Sequence, residues 1–253
     1  MSSPFLDVQG NPIPQEQVLG NGRSGLVLLQ NDAATIEANT HILRREQDVY
    51  RRLQCPGDGR FHGVVPCLEF TANSTHLAYM VNGDLQAYLA KSRPPRQLQL
   101  RWFNQTACTV DFIHDRRVLH TDIASRNFLL DSDLSLKMCD FSEATLLPLE
   151  TDMEAVDDNG YTTQIDVGFL GAVMYEAVTG IKCKIDLFKD NSPTDGRAYW
   201  PARASLPITQ DVWLGEVIEG CWTGEIPSAH KLLRALNSIS LDHESLGELA
   251  MDS

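Results

Sequence analysis

"HTDIASRNFLLDSDLSLKMCDFS", residues 120–142, is the stretch on which the reading of this chain turns. Within it "FLLDSDLSLKM" runs as strand, Asp-rich turn, strand, a hairpin pattern that brings its two flanks together. On one flank Asp122 precedes Asn127 by five residues, and on the other Asp140 follows the second strand. A carboxylate placed there can accept a hydroxyl proton. An amide oxygen and a second carboxylate suit Mg2+, a hard cation that prefers oxygen ligands. Asp and Asn also build turns by bonding to their own backbone, and for any one of these residues alone that plainer reading would hold.

A second pattern lies upstream. "QVLGNGRSGLVLLQ" spaces Gly20, Gly22 and Gly25 so that backbone N–H groups can approach phosphates without side chains in the way. A dinucleotide-binding turn would open into a helix, whereas "LVLL" continues as a β-like run through Val27, so these glycines are expected to tip a hairpin. "THILRREQDVYRRL" carries Ile42, Val49 and Leu53 near helical spacing, with Arg44, Arg45, Arg51 and Arg52 mainly on the wet side. "HLAYMV" reads as a strand ended by the Asn82-Gly83 turn signal. Helices dominate after Asp84. "LRWFNQTACTVDFIHD" puts Trp102, Phe103, Ala107, Val110 and Ile113 on one apolar face. "VGFLGAVMYEAVTG" is apolar on nearly all sides, as a central helix is. "DVWLGEVIEGCW" and "SAHKLLRALNSI" close the fold as further helices, and Trp213 and Trp222 read as core aromatics.

Over roughly residues 15–240 these motifs resemble the eukaryotic protein kinases, whose pattern is a glycine-rich loop, a His-Arg-Asp loop ending in Asn, and Asp-Phe-Gly. Here they stand as Gly20–Gly25, His120-Thr121-Asp122 with Asn127, and Asp140-Phe141-Ser142. The resemblance implies an α+β, bilobal fold with a small β-rich N-lobe (15–82) and a larger helical C-lobe (83–240). An N-terminal extension (1–14) and an acidic tail (241–253) flank them. It further implies Asp122 as catalytic base, with Asn127 completing the catalytic loop, and Asn127 and Asp140 as Mg2+ ligands. Leu19, Gly20, Gly22, Gly25 and Val27 would lie over ATP, Met80 in "AYMVNGDL" would offer backbone groups to adenine, and Asp166 would brace the catalytic loop. "IASRN", with Arg126, is similar to the tyrosine-kinase form of the loop. The reaction implied is transfer of the ATP γ-phosphate to a protein hydroxyl of Ser, Thr or Tyr.

The departures from that pattern are as informative. Family kinases carry a Lys on the third strand that holds phosphates and pairs with a helix Glu. Glu46 supplies the Glu, but Lys91 is the first lysine of the chain and lies beyond the hinge. Loss of one preorganised cation is expected to cost roughly 10²–10³ in rate. Ser142 replaces a Gly, and Thr121 replaces the Arg that reads a phosphorylated activation loop. Only 25 residues separate Asp140 from Asp166, without Ala-Pro-Glu among them, so the peptide-docking segment is short. Three readings follow: a kinase of impaired activity, a catalytically inactive pseudokinase acting as a scaffold, or a chain lacking a coding exon around residues 30–42.

Composition sets the outer bounds. The 253 residues suffice for a sizeable core. Residues 1–82 carry 8 acidic and 6 basic residues, a net −2, against 26 and 15, or −11, in the remainder. A total of −13 argues against nucleic acid and favours a basic protein partner, as does the absence of basic residues between Lys137 and Lys182. No apolar run is long enough for a membrane helix. "MSSPFLDVQG" lacks the basic-then-apolar pattern of a secretory leader, so a cytoplasmic or nuclear location is expected. The six scattered cysteines read as reduced, structural thiols, and His114 and His120 as residues bonded within the C-lobe rather than metal ligands.

Overall fold

A computed structural model describes residues 2–6, 12–14, 18–22, 25–28, 33–54, 63–189 and 195–239, with side chains from residue 40 onward. Two antiparallel hairpins come first. β1 (Ser2–Leu6) pairs with β2 (Pro12–Pro14), within the stretch read as an extension, and β3 (Val18–Gly22) pairs with β4 (Gly25–Leu28). Gly22 stands opposite Gly25, so the glycines do tip a hairpin. The side chains of Leu19 and Val27, Cys55 and the acidic tail lie outside the described residues.

Helix α1 (Ala33–Leu53) follows and starts seven residues before the Thr40 expected from the apolar spacing. Val49 and Leu53 are buried as expected, but Ile42 is exposed. Residues 29–32, between β4 and α1, lie outside the described residues. β5 (Cys67–Phe70) and β6 (Thr75–Leu77) form the next hairpin. The expected strand "HLAYMV" thus ends early, its continuation held instead by Ala78 N–H donating to the Pro66 carbonyl at 2.8 Å. Among the described residues β3–β4 and β5–β6 belong to separate sheets. Among the described residues no strand stands where the resemblance puts the lysine-bearing one.

The larger lobe is helical. Asp84 caps α2 (Leu85–Leu89) by accepting the Ala87 N–H at 2.6 Å. α3 (Arg96–Asp115) buries all five residues of its predicted apolar face. Trp102 Nε1 also donates to the Leu134 carbonyl at 2.7 Å. β7 (Val118–Leu119) pairs with β10 (Thr145–Leu146), and β8 (Phe128–Leu130) with β9 (Leu136–Met138), the hairpin read from the opening sequence. α4 (Thr163–Thr179) is capped by Thr162 and runs through the core with Val167, Leu170, Met174 and Ala177 buried. It stops at Gly180, whose φ of +77° suits glycine and where any side chain would strike the Arg93 guanidinium.

α5 (Gly215–Thr223) and α6 (Ala229–Asn237) pack beside α4 and α3. Trp222 donates to the Gly168 carbonyl at 3.2 Å and is a core aromatic as read, whereas Trp213, half-buried, packs on the edge of the core against Phe103 with ring centroids 6.4 Å apart. The fold is α+β and bilobal. Arg52 of α1 ties the lobes by donating to the Arg116 and Leu147 carbonyls at 3.1 and 3.2 Å.

Candidate active site

The loop before β8 is built around a buried carboxylate. Asp166 of α4 is 1% exposed. Its Oδ2 accepts the His120 N–H and faces His114 Nε2, both at 2.9 Å, and its Oδ1 accepts the Thr121 N–H at 2.9 Å. These bonds hold Thr121 at φ +65°. That left-handed conformation costs an L-residue about 1–2 kcal/mol, and a β-branched one adopts it rarely. Thr121 Oγ1 adds a bond to the Glu143 carbonyl at 2.8 Å, so the residue in the place of the phosphate-reading Arg ties the loop to the segment after Asp140. Both histidines are bonded inside the C-lobe, His120 Nε2 also lying 3.2 Å from the Cys139 carbonyl.

Asp122 follows this strained residue. Asn127 Nδ2 donates to its carbonyl at 2.8 Å and to its Oδ2 at 2.9 Å, closing the five-residue spacing into one compact turn. Arg126 Nη2 reaches both carboxylate oxygens at 2.5 Å. The strand pairing then does what the opening pattern predicts: Phe128 stands opposite Met138, and Cys139 N–H bonds the Asn127 carbonyl at 2.9 Å, which brings Asp140 alongside. Asp140 has φ +61°, and Ser142 Oγ donates to its Oδ1 at 2.8 Å. The serine in the glycine position therefore orients the carboxylate it follows.

Phe141 between them is fully buried. Its ring lies 5.1 Å from that of His120 and 5.2 Å, edge-on, from that of Tyr50. Tyr50 is one turn after Glu46 on α1, so this column of three rings holds that part of α1 close enough for Glu46 to feel the charge of Asp140. Burial pushes the Glu46 carboxyl above its ordinary range, opposed by the Thr75 hydroxyl, raised further by the charge of Asp140, and opposed again by the Phe141 N–H. Thr75 Oγ1 acts on it by proximity, since it makes no bond within normal hydrogen-bond geometry.

Among the described residues no cation pairs with Glu46. A carboxyl raised on folding adds stability below its unfolded pKa and loses that contribution as pH rises through its folded value. Glu46→Gln is therefore expected to raise the melting temperature at about pH 7 and to do so less at about pH 4. A lowered melting temperature at neutral pH would reveal a cationic partner for Glu46.

Met80, the residue expected to face adenine, is buried; its carbonyl accepts the Gly83 N–H at 3.3 Å, and among the described residues no hydrogen bond engages its own N–H. The segment after Asp140 is anchored by its acidic residues. Arg197 Nη2 reaches both oxygens of Asp157 at 2.7 and 2.5 Å, and Thr145 Oγ1 donates to Asp158 Oδ2 at 2.8 Å. The two-oxygen clamp of Arg126 and the serine bond to Asp140 were not read from sequence, although the i,i+4 spacing of Asp122 and Arg126 and the Asp-x-Ser order were there to signal them.

The family model described as protein tyrosine and serine/threonine kinase matches residues 26–234. This chain belongs to that family. Relatives include tyrosine-protein kinase JAK3 of Rattus norvegicus, 26% identical over 181 residues, covering 64% of this chain and 16% of the relative. Tyrosine-protein kinase Srms of Mus musculus is 30% identical over 185 residues, covering 64% and 36%. CBL-interacting protein kinase 12 of Oryza sativa subsp. japonica is 31% identical over 121 residues, covering 46% and 21%. The kinase domain thus spans about a third or less of the length of these relatives, which include both tyrosine-protein kinases and a kinase of another description.

The donor set of this kinase domain fits Mg2+. With Asn127 Nδ2 given to Asp122 and Asp140 Oδ1 taken by Ser142, no hydrogen bond among the described residues engages Asn127 Oδ1 or Asp140 Oδ2. Two oxygen ligands with phosphates and water supplying the rest is how Mg2+ ordinarily binds beside a nucleotide. Among the described residues no group of three or more His, Cys, Asp or Glu side chains makes an all-protein metal cage.

Proposed function

We propose that this kinase domain binds ATP with Mg2+ between Asn127 and Asp140 and transfers its γ-phosphate, at reduced rate, to a protein hydroxyl. The observation that carries the reading is the closure of Asp122 and Asn127 into one turn braced by Asp166, with Asp140 brought alongside by the Cys139 N–H bond to the Asn127 carbonyl. The cation would neutralise phosphate charge. Asp122 would take the hydroxyl proton at Oδ1 or Oδ2, sharing that oxygen with Arg126. The reduced rate follows from the gap left by the missing lysine, since Glu46 feels the charge of Asp140 and no lysine precedes Lys91. The same gap, with the short segment after Asp140, supports a second reading in which the domain works as a binding scaffold. Scattered cysteines, five of them free among the described residues, support a reducing, cytoplasmic or nuclear setting.

Thermal melting with millimolar Mg-ATP tests nucleotide binding. A ligand at about 100 times its Kd stabilises by roughly 2.7 kcal/mol, a rise of several degrees. We expect Mg-ATP to raise the melting temperature of the native chain and Asp140→Ala to abolish the rise. No rise in the native chain would remove both the enzyme and any nucleotide-dependent scaffold.

A further inference from the structure

A cavity of ≈ 370 Å3 opens beside Asp122, between the catalytic loop, α4 and the segment that follows α4. Its walls are Phe169 and Val173, and three cations line it: Arg126, Lys182 and Lys184. We propose that this cavity seats an acidic side chain of a protein partner, gripped by Lys182 and Lys184, so that the kinase domain selects segments carrying carboxylates next to the residue presented to Asp122. The inference deepens the kinase reading and rests on it, since Asp122 marks where an acceptor hydroxyl would stand.

The charges around the cavity separate cleanly. Asp122 and Arg126 satisfy each other. Glu176 is buried and accepts the Ser125 hydroxyl at 2.8 Å, so it sits in the floor and not at the mouth. Cys183 stands between the two lysines, its thiol pushed up to about 11 by burial and by the Glu176 charge, and adds no negative charge near neutrality. Lys182 Nζ spends one bond on Gln86 Oε1 at 2.8 Å. An ammonium has three donors, so Lys182 keeps two for a ligand, and Lys184 is exposed beside it.

Two ammonium groups at the rim of a cavity whose wall is apolar at Phe169 and Val173 form a receptor for a carboxylate on an aliphatic stem. The net charge of −13 pointed the other way, toward a basic partner. Charges farther away than about 8 Å are largely screened at physiological salt, so the nearest groups decide the preference at this spot.

The test is fluorescence anisotropy of two labelled peptides, each with one central tyrosine, flanked by glutamates in one and by lysines in the other, with no nucleotide present. The acidic peptide is expected to bind more tightly. Lys182→Glu combined with Lys184→Glu should weaken it roughly tenfold, in line with reversal of two exposed charges, whereas Lys231→Glu on α6 should leave it unchanged. Equal binding of the two peptides, tighter binding of the basic one, or an unaltered affinity in the double variant would overturn the proposal. Because no nucleotide enters the assay, a failure here is separate from a failure to bind Mg-ATP.

Discussion

Asp166→Ala is expected to destabilise the domain by about 3–5 kcal/mol, the range seen when one partner is removed from a buried, bonded charge. The carboxylate is almost inaccessible and meets three nitrogens, two of them backbone N–H groups of residues that are themselves buried. Alanine leaves all three without their acceptor, and each orphaned donor costs about 1–3 kcal/mol. It also removes what holds Thr121 at φ +65°. Against a total stability of about 5–15 kcal/mol for a folded domain, the loss is a large share. A chain of this size should melt roughly 10 °C lower, at about 2–4 °C per kcal/mol. Chemical denaturation of both proteins checks this, and a melting temperature within about 2 °C of native would show that the catalytic loop does not depend on Asp166.

Asp122→Asn is expected to reduce transfer of radiolabel from ATP to a protein substrate by roughly 10²–10⁴-fold, the usual contribution of a positioned general base. Asparagine fills the same space and still offers an oxygen to Asn127 and Arg126, but it cannot accept a proton. On the proposed reading, in which the missing lysine lowers the starting rate, the variant should be indistinguishable from background. Its melting temperature should change far less than that of Asp166→Ala, because the Asp122 side chain is 35% exposed and that of its partner Arg126 40%. Equal labelling by the native and variant proteins would remove Asp122 from the chemistry.

The parts of this fold that were readable before any coordinates are those set by local pattern. The β8–β9 hairpin, the turn at Gly22–Gly25, the buried face of α3 and the all-apolar α4 each follow from periodicity or turn chemistry within about 20 residues. The missing lysine was readable too, since none precedes Lys91.

What was not readable depends on long-range packing. Nothing in the sequence places Lys182 and Lys184 beside Asp122, some 60 residues earlier; the turn of chain at Gly180 does that. The acidic run after Asp140 looked like a repellent surface. Asp157 and Asp158 turn out to be bonded to Arg197 and Thr145, the Asp157–Arg197 pair staying on the surface. The early start of α1 and the early end of β6 are boundary effects, where propensity changes slowly along the chain and the tertiary setting decides.

The three-ring column of Tyr50, Phe141 and His120 bears on how small molecules can act on this protein. Any compound that needs Phe141 to leave its place must break two aromatic contacts, each worth about 0.5–1.5 kcal/mol beyond the area it buries, and must open a fully enclosed site besides. Inhibitors that slip into the cleft with the phenyl ring left in position avoid that cost, so a screening campaign should enrich compounds of the second kind over the first.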